Sequence, residues 1–333
     1  MKNWLSILIG MALAALATLA QAADFKPAVI YDMGGKFDKS FNEGVYAGIK
    51  RFEDETGVKV MEFEVTNETQ REQAMTRMAQ RGATIILGVG FAQADAINKV
   101  AAAHPDKKFA IIDVSWLDQP NLRQYAFKEH EGSYLVGVAA ALASKSGKVG
   151  FVGGMDIPLI RKFACGYVQG VKSVNPDAEI FQNMTGTTPS AWNDPGKGSE
   201  LTQSQIDRGA DVVYHAAGGT GIGVIRAAAD AGKLAIGVDS NQNHLAPGSV
   251  LTSMMKRVDV AAYQTMKDAM SGKFETGVRV LGLKEGGVDW AQDEHNAKLI
   301  TADMKTKIDA ASEAIKSGKV AVHDYQSDSK CPF

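Results

Sequence analysis

Cysteine is scarce in this chain. There are two, Cys165 and Cys331, in 333 residues. One pair is too few for a disulfide-dependent fold, so stability must come from hydrophobic cores. No Cys-x-x-Cys, His-x-x-x-His or Glu/His cluster is present, so no metal ligand set is expected. A glycine run at 218–223 lacks the Lys and Ser/Thr of a P-loop and fails the third position of G-x-G-x-x-G. No G-x-S-x-G elbow and no nucleophile–base pair occurs. These absences predict a protein without catalysis and without a cofactor. His215 and His244 stand alone and read as structural histidines. Neither charge sign is in excess: 36 Lys and Arg face 38 Asp and Glu, interspersed along the chain. That excludes the basic footprint of a nucleic-acid partner.

Long apolar runs are also missing, with one exception at the start. Lys2 precedes an uncharged stretch from Trp4 to Leu19, and Ala20-Gln21-Ala22 puts small residues where a signal peptidase reads. The pattern predicts a signal peptide over 1–22, cleaved before Ala23, and a periplasmic protein. A membrane anchor is the alternative, and the run is short for one. No Cys follows it to carry a lipid. In an oxidising compartment Cys165 and Cys331 are a disulfide candidate; a buried small residue at 165 and a free thiol in the tail are the alternative.

What the chain does have is alternation. Hydrophobic residues make up 45%, enough for real cores, and the length suits two domains of roughly 150 residues each. Short apolar runs read as strands at 27–32, 59–65, 84–88 and 109–114, with helices at 41–55, 68–81 and 92–103 between them. A helical stretch at 132–144 follows, and the pattern restarts. Strands at 149–152, 179–184, 212–216 and 235–238 alternate with helices at 158–174, 200–208 and 220–231. This is an α/β protein of two doubly wound units. Segments 250–254, 261–271 and 279–283 read as crossings between the units, with 301–317 and 320–325 finishing on the second. The expected lobes are 23–130 with 255–282, and 131–254 with 283–333, joined by a multi-strand hinge.

Ligands of open α/β sheets bind beyond the carboxyl ends of the strands. Three of those ends carry an aspartate: Asp32, Asp113 and Asp239. Ser40 and Glu43 have capping-box spacing, which starts a helix at Phe41 and turns Phe41 and Asn42 toward the crevice. The 218–223 glycines expose backbone N–H groups at another helix start.

Five segments, taken in order along the chain, resemble the basic membrane protein family of substrate-binding proteins for ABC importers, which includes purine nucleoside receptors. They are Asp38-Lys39-Ser40-Phe41-Asn42, Phe151-Val152-Gly153-Gly154-Met155, Ala216-Ala217-Gly218-Gly219-Thr220-Gly221, Ile236-Gly237-Val238-Asp239-Ser240 and Leu251-Thr252-Ser253-Met254-Met255-Lys256. The resemblance implies a type I periplasmic-binding-protein fold and a purine nucleoside, such as adenosine, guanosine or inosine, held between the lobes. It implies that Phe41 stacks on the base, Asn42 bonds its edge and Asp113 accepts from its N–H groups. Trp192 would cover the other face, and Gly219, Asp239 and Lys256 would hold the ribose. Asp32 completes the candidate set. The implied partner is an ABC permease in the inner membrane, and the expected state is a monomer. Two departures bear on the ligand: Asn241-Gln242 stands where the family often has Asp-Gln, and Trp192 where it often has Phe. An exported nucleoside-processing enzyme, or a receptor for another sugar-like solute or for signalling, are the other readings.

Overall fold

The computed structural model describes residues 25–333. The expected signal peptide and its cleavage point lie outside the described residues. Pro27–Tyr31 (β1) shows why an unbroken apolar run becomes a strand here. Val29 and Tyr31 pack into one helix layer and Ala28 and Ile30 into the other. A strand covered on both faces has no polar side to display.

From β1 the chain runs through Phe41–Thr56 (α1), Met61–Glu64 (β2), Gln70–Gln80 (α2), Ile85–Gly88 (β3), Ala94–Ala103 (α3), Lys108–Ile112 (β4) and Leu122–Phe127 (β5). The second unit is Glu129–Ala143 (α4), Lys148–Met155 (β6), Pro158–Val174 (α5), Glu179–Gly186 (β7), Pro195–Asp207 (α6), Val212–Ala216 (β8), Gly221–Asp230 (α7), Leu234–Asp239 (β9) and Val250–Lys256 (β10). Val258–Met270 (α8) and Gly277–Leu281 (β11) return to the first unit, and Val288–Trp290 (β12) and Ala302–Lys316 (α9) complete the second.

The two six-stranded sheets have matching orders, β2-β1-β3-β4-β5-β11 and β7-β6-β8-β9-β10-β12. All the pairings are parallel except β12 against β10. The order reverses between β1 and β3 and between β6 and β8, and such switch points open a crevice at the carboxyl ends of the strands. The chain passes between the sheets after β5, after β10 and after β11. These passages lie side by side: Lys128 N donates to Leu281 O at 2.9 Å and Arg257 N to Gly287 O at 2.8 Å. Returning to the first unit, α8 packs on α1. A Cβ at Gly48 would stand 2.1 Å from Asp259 O, so only glycine permits that approach.

The structure departs from the sequence reading at several elements. The strand β5 was not expected. Arg123 and Gln124 sit inside it, buried, and break the apolar pattern. Helix α4 begins three residues before the expected Gly132, at Glu129. Helix α6 begins at Pro195, where Asp194 accepts from Lys197 N at 2.9 Å, and not at Glu200. The capping box is not made. Ser40 points across the cleft, and Asp38 receives the backbone N–H groups of Ser40, Asn42 and Glu43 at 2.8, 3.0 and 3.1 Å. His215 is fully buried and bonds Gln242, whereas His244 is exposed.

The tail beyond α9 lies along α5. His323 exchanges backbone hydrogen bonds with the Gln169 side chain at 2.8 and 3.0 Å, in the manner of a strand pair. Cys331 is bonded to Cys165, closing a separation of 166 residues.

Candidate functional site

The carboxyl ends of β1, β4, β8 and β9 converge on one cavity between the two sheets. Its volume is about 70 Å³, or about 600 Å³ with the open solvent at its mouth counted. Asp32, Phe41, Asn42, Asp113, Trp192, Asp239 and Lys256 all line it. Gly219 does not. Its neighbour Gly218 takes that place, with Gly219 packed under Trp192 O and Gly34 O.

Each candidate has a physical position. Asp113 and Asp239 follow or end their strands at φ 68° and 64°, a left-handed conformation that bends the chain and turns both carboxylates inward. Asp32 is already engaged: Arg71 lies 3.2 Å from one oxygen, and Met33 N donates to it at 2.8 Å. Asn42 spends its amide N–H groups on Asp32 O and Gly35 O at 3.2 and 3.1 Å. Its Oδ1 is buried without a partner. An unpaired buried acceptor costs free energy until something donates to it.

Lys256 ends β10 and places its ammonium 2.6 Å from Asp113 Oδ1 and 2.9 Å from Glu129 Oε1. The rings of Phe41, Phe127 and Phe163 surround it at 5.1, 5.2 and 5.6 Å, within cation–π range. Burial would discharge it, but Asp113, Glu129 and Asp239 outweigh burial and hold it charged. Burial pushes the Asp113 carboxyl up to about 6, against the pull of Lys256 and with a further push from Glu129. Asp239 is raised by burial too, eased by Lys256 and by Ser40.

Trp192 forms the wall supplied by the second unit. Its indole lies on bare backbone: a Cβ at Gly154 would be 2.1 Å from the ring. Across the cleft it approaches Gly34 of the first unit.

Sequence reasoning missed Asp38, Glu129, Leu159 and Phe163. Asp38 and Phe163 line the cavity beside Leu159, and Glu129 backs Lys256. The available signals were the Asx position two residues before Ser40 for Asp38 and, for Glu129, an acid opening a mostly apolar helix. Side-chain hydrogen bonds also join the units across the cleft. Ser40 Oγ donates to Asp239 Oδ2 at 2.6 Å, Ser240 Oγ to Ser40 O at 2.8 Å and Gln242 Nε2 to Lys39 O at 3.0 Å.

Chemically the cavity combines aromatic faces with an excess of acceptors. Asn42 Oδ1, Asp113 and Asp239 face a single cation, Lys256. Such a wall suits a neutral, donor-rich solute with a flat face and repels phosphate. Among the described residues no cluster of His, Cys, Asp and Glu has the arrangement of a metal site.

Two matched sheets around an interlobe cavity define the periplasmic-binding-protein class of solute receptors. The chain belongs to the family described as ABC transporter substrate-binding protein PnrA-like, whose profile matches residues 25–325. It is 33% identical to the CD4+ T-cell-stimulating antigen of Listeria monocytogenes, over 90% of this chain and 88% of that one. It is 32% identical to the ABC transporter nucleoside-binding protein BmpA of Lactococcus lactis, over 90% and 89%. Among solved structures, an ABC transporter solute-binding protein from Aeropyrum pernix superposes with a TM-score of 0.82 at 29% identity, covering 89% of this chain and 92% of that one. The family is one of binding proteins that hand small solutes to a membrane permease, not of enzymes.

Proposed function

We propose that this protein captures a purine nucleoside in the periplasm and delivers it to an ABC permease of the inner membrane. The observation that carries the reading is the composition of the cavity wall: Phe41 and Trp192 offer ring faces, while Asn42 Oδ1, Asp113 and Asp239 offer acceptors. A purine presents N–H groups on a flat ring, and ribose presents vicinal hydroxyls. Phe41 stacks on the base, Asn42 and Asp113 take its N–H groups, and Trp192 covers the outer face. Asp239 accepts the ribose hydroxyl protons, Lys256 donates to their oxygens, and the Gly218–Gly219 turn supplies backbone N–H. Asp32 acts through Asn42, whose amide it holds by its carbonyl. The Lactococcus relative carries a nucleoside-binding name, which favours the same solute class. The apolar leader before Ala23 supports export, and the receptor works as a monomer.

Calorimetry with inosine, guanosine, adenosine and their 5′-monophosphates tests this. The nucleosides are expected to bind and the monophosphates to be rejected, since phosphate would meet Asp38, Asp113 and Asp239. Binding of free ribose as tight as any nucleoside, or of no nucleoside at all, overturns the reading.

A further inference from the structure

A chain of buried ion pairs runs behind the ligand cavity. Glu129, the first residue of α4, is 1% exposed. Its Oε1 lies 2.9 Å from Lys256 Nζ and its Oε2 3.1 Å from Lys162 Nζ. Lys162 also donates to Phe127 O at 2.7 Å and reaches Gln326 at 3.3 Å and Asp324 at 3.4 Å, both in the tail. On its cavity side Lys256 meets Asp113. An ammonium has three donors. Asp113 Oδ1 and both Glu129 oxygens stand at ion-pair distance from an ammonium, but none accepts a hydrogen bond of good geometry.

A carboxylate this deep survives as an anion only if paired. Burial would neutralise Glu129, yet Lys162 and Lys256 together hold its carboxyl down at about 2. Removing Glu129 would therefore loosen the Lys256 ammonium and withdraw a negative charge from beside Asp113.

We propose that Glu129, with Lys162 as its counterion, is a positioning residue of the solute site: it holds the Lys256 ammonium at the cavity wall, and it sets a second negative charge against Asp113. The inference rests on Asp113 and Lys256 being solute-holding groups. Asp113 is faced by Lys256 from β10, Glu129 from α4 and Asp239 from β9. Asp32 and Asp38 share the cavity wall, and Lys162, His130 and Asp324 stand behind Glu129. Of the three charged groups that face Asp113, Glu129 is the one outside the cavity lining.

The test follows the Asp113 carboxyl by 13C NMR in the full chain, labelled at aspartate and free of solute, from pH 4 to 8. Loss of the signal in Asp113→Asn assigns it. Guanosine affinity is measured over the same range. In Glu129→Gln the Asp113 midpoint, about 6 in the native chain, is expected to drop by about one pH unit. Glu129→Asp keeps a charge but draws it back, and is expected to move the midpoint the same way by less. The acid limb of guanosine affinity should move with the midpoint. A folded Glu129→Gln protein with an unmoved midpoint overturns the proposal. If the Gln variant does not fold, the Asp variant decides: a native midpoint with native affinity overturns it, and a displaced midpoint supports it. A displaced midpoint in a protein that binds no nucleoside supports the positioning role and sinks only the nucleoside reading.

Discussion

Asp239 and Phe41 line the cavity from opposite units, and in the proposed site they would recognise different parts of the solute. Asp239 ends β9 at φ 64°, a backbone state that costs about 1–3 kcal/mol for a residue with a Cβ. Asp113 bears the same cost at the matching end of β4. Strain repeated at equivalent strand ends marks the two carboxylates as placed for a purpose. A charged acceptor bond is worth roughly 1.5–3 kcal/mol, so Asp239→Ala should weaken a ribonucleoside by about one to four powers of ten for one or two such bonds. It should leave binding of the free base nearly unchanged. Phe41→Ala should weaken base and nucleoside alike, by about 1–3 kcal/mol, the range for aromatic–base stacking. Calorimetry with guanosine and guanine on both variants decides. An equal loss for base and nucleoside in Asp239→Ala refutes the ribose assignment. Of the seven candidates that line the cavity, Asp32, Phe41, Asn42, Asp113 and Asp239 were placed there by strand ends and a helix start, whereas Trp192 and Lys256 came only from the family resemblance. Glu129 and Lys162 were not legible. They come from the start of α4 and the first turns of α5, and only the packing of those helices brings them to Lys256.

At the scale of elements, the start of α1 is organised by a carboxylate that the capping pattern did not indicate. Three backbone N–H groups converge on Asp38, and Ser40 is thereby free to reach Asp239. Burial nonetheless dominates and lifts the Asp38 carboxyl to about 7, with the N–H groups pulling the other way and Asp239 adding to the rise. In the unfolded chain the same group titrates near 3.8. Between those values the native state holds a proton that the unfolded state has lost, so this group's contribution to stability falls as pH rises from about 4 to 7 and is level above that. The slope is at most about 1.4 kcal/mol per pH unit. Asp38→Asn lacks it. Denaturant unfolding at pH 5, 6, 7 and 8 should show the wild type losing ground to Asp38→Asn up to pH 7. A constant difference between pH 5 and 7 would show that the carboxyl is not desolvated. The strand β5 shows where element reading fails. Its buried Arg123 bonds Glu275 O at 2.8 Å and Asp268 at 2.7 Å. These bonds, which leave only Arg123 Nη2 unpaired, allow an interior strand to carry a sequence that does not alternate or run apolar, because what counts is pairing in the fold.

For the whole molecule the question is how two units of identical strand order become a receptor. They share one hinge of three adjacent passages and meet across the cavity at a hydrogen-bonded patch, residues 38–40 against 238–242, and where Trp192 approaches Gly34. We take the moving bodies to be the two sheet units, divided at the passages after β5, β10 and β11. The described structure is a closed form, with Ser40 on Asp239 and Ser240 on Ser40. A solute bridging both units favours this form by its differential affinity alone. Scattering should therefore show a smaller radius of gyration with guanosine than without, and an unchanged radius at saturation would rule out hinge closure. Ser240 touches no cavity-lining side chain, yet its hydroxyl ties the units together through Ser40 O. One such bond is worth about 1 kcal/mol. If the open form dominates without solute, Ser240→Ala should lower apparent affinity by about fivefold, with the same compact radius once saturated. Should Ser240→Ala bind as tightly as the native chain, the patch does not stabilise closure, and the solute alone holds the two units together.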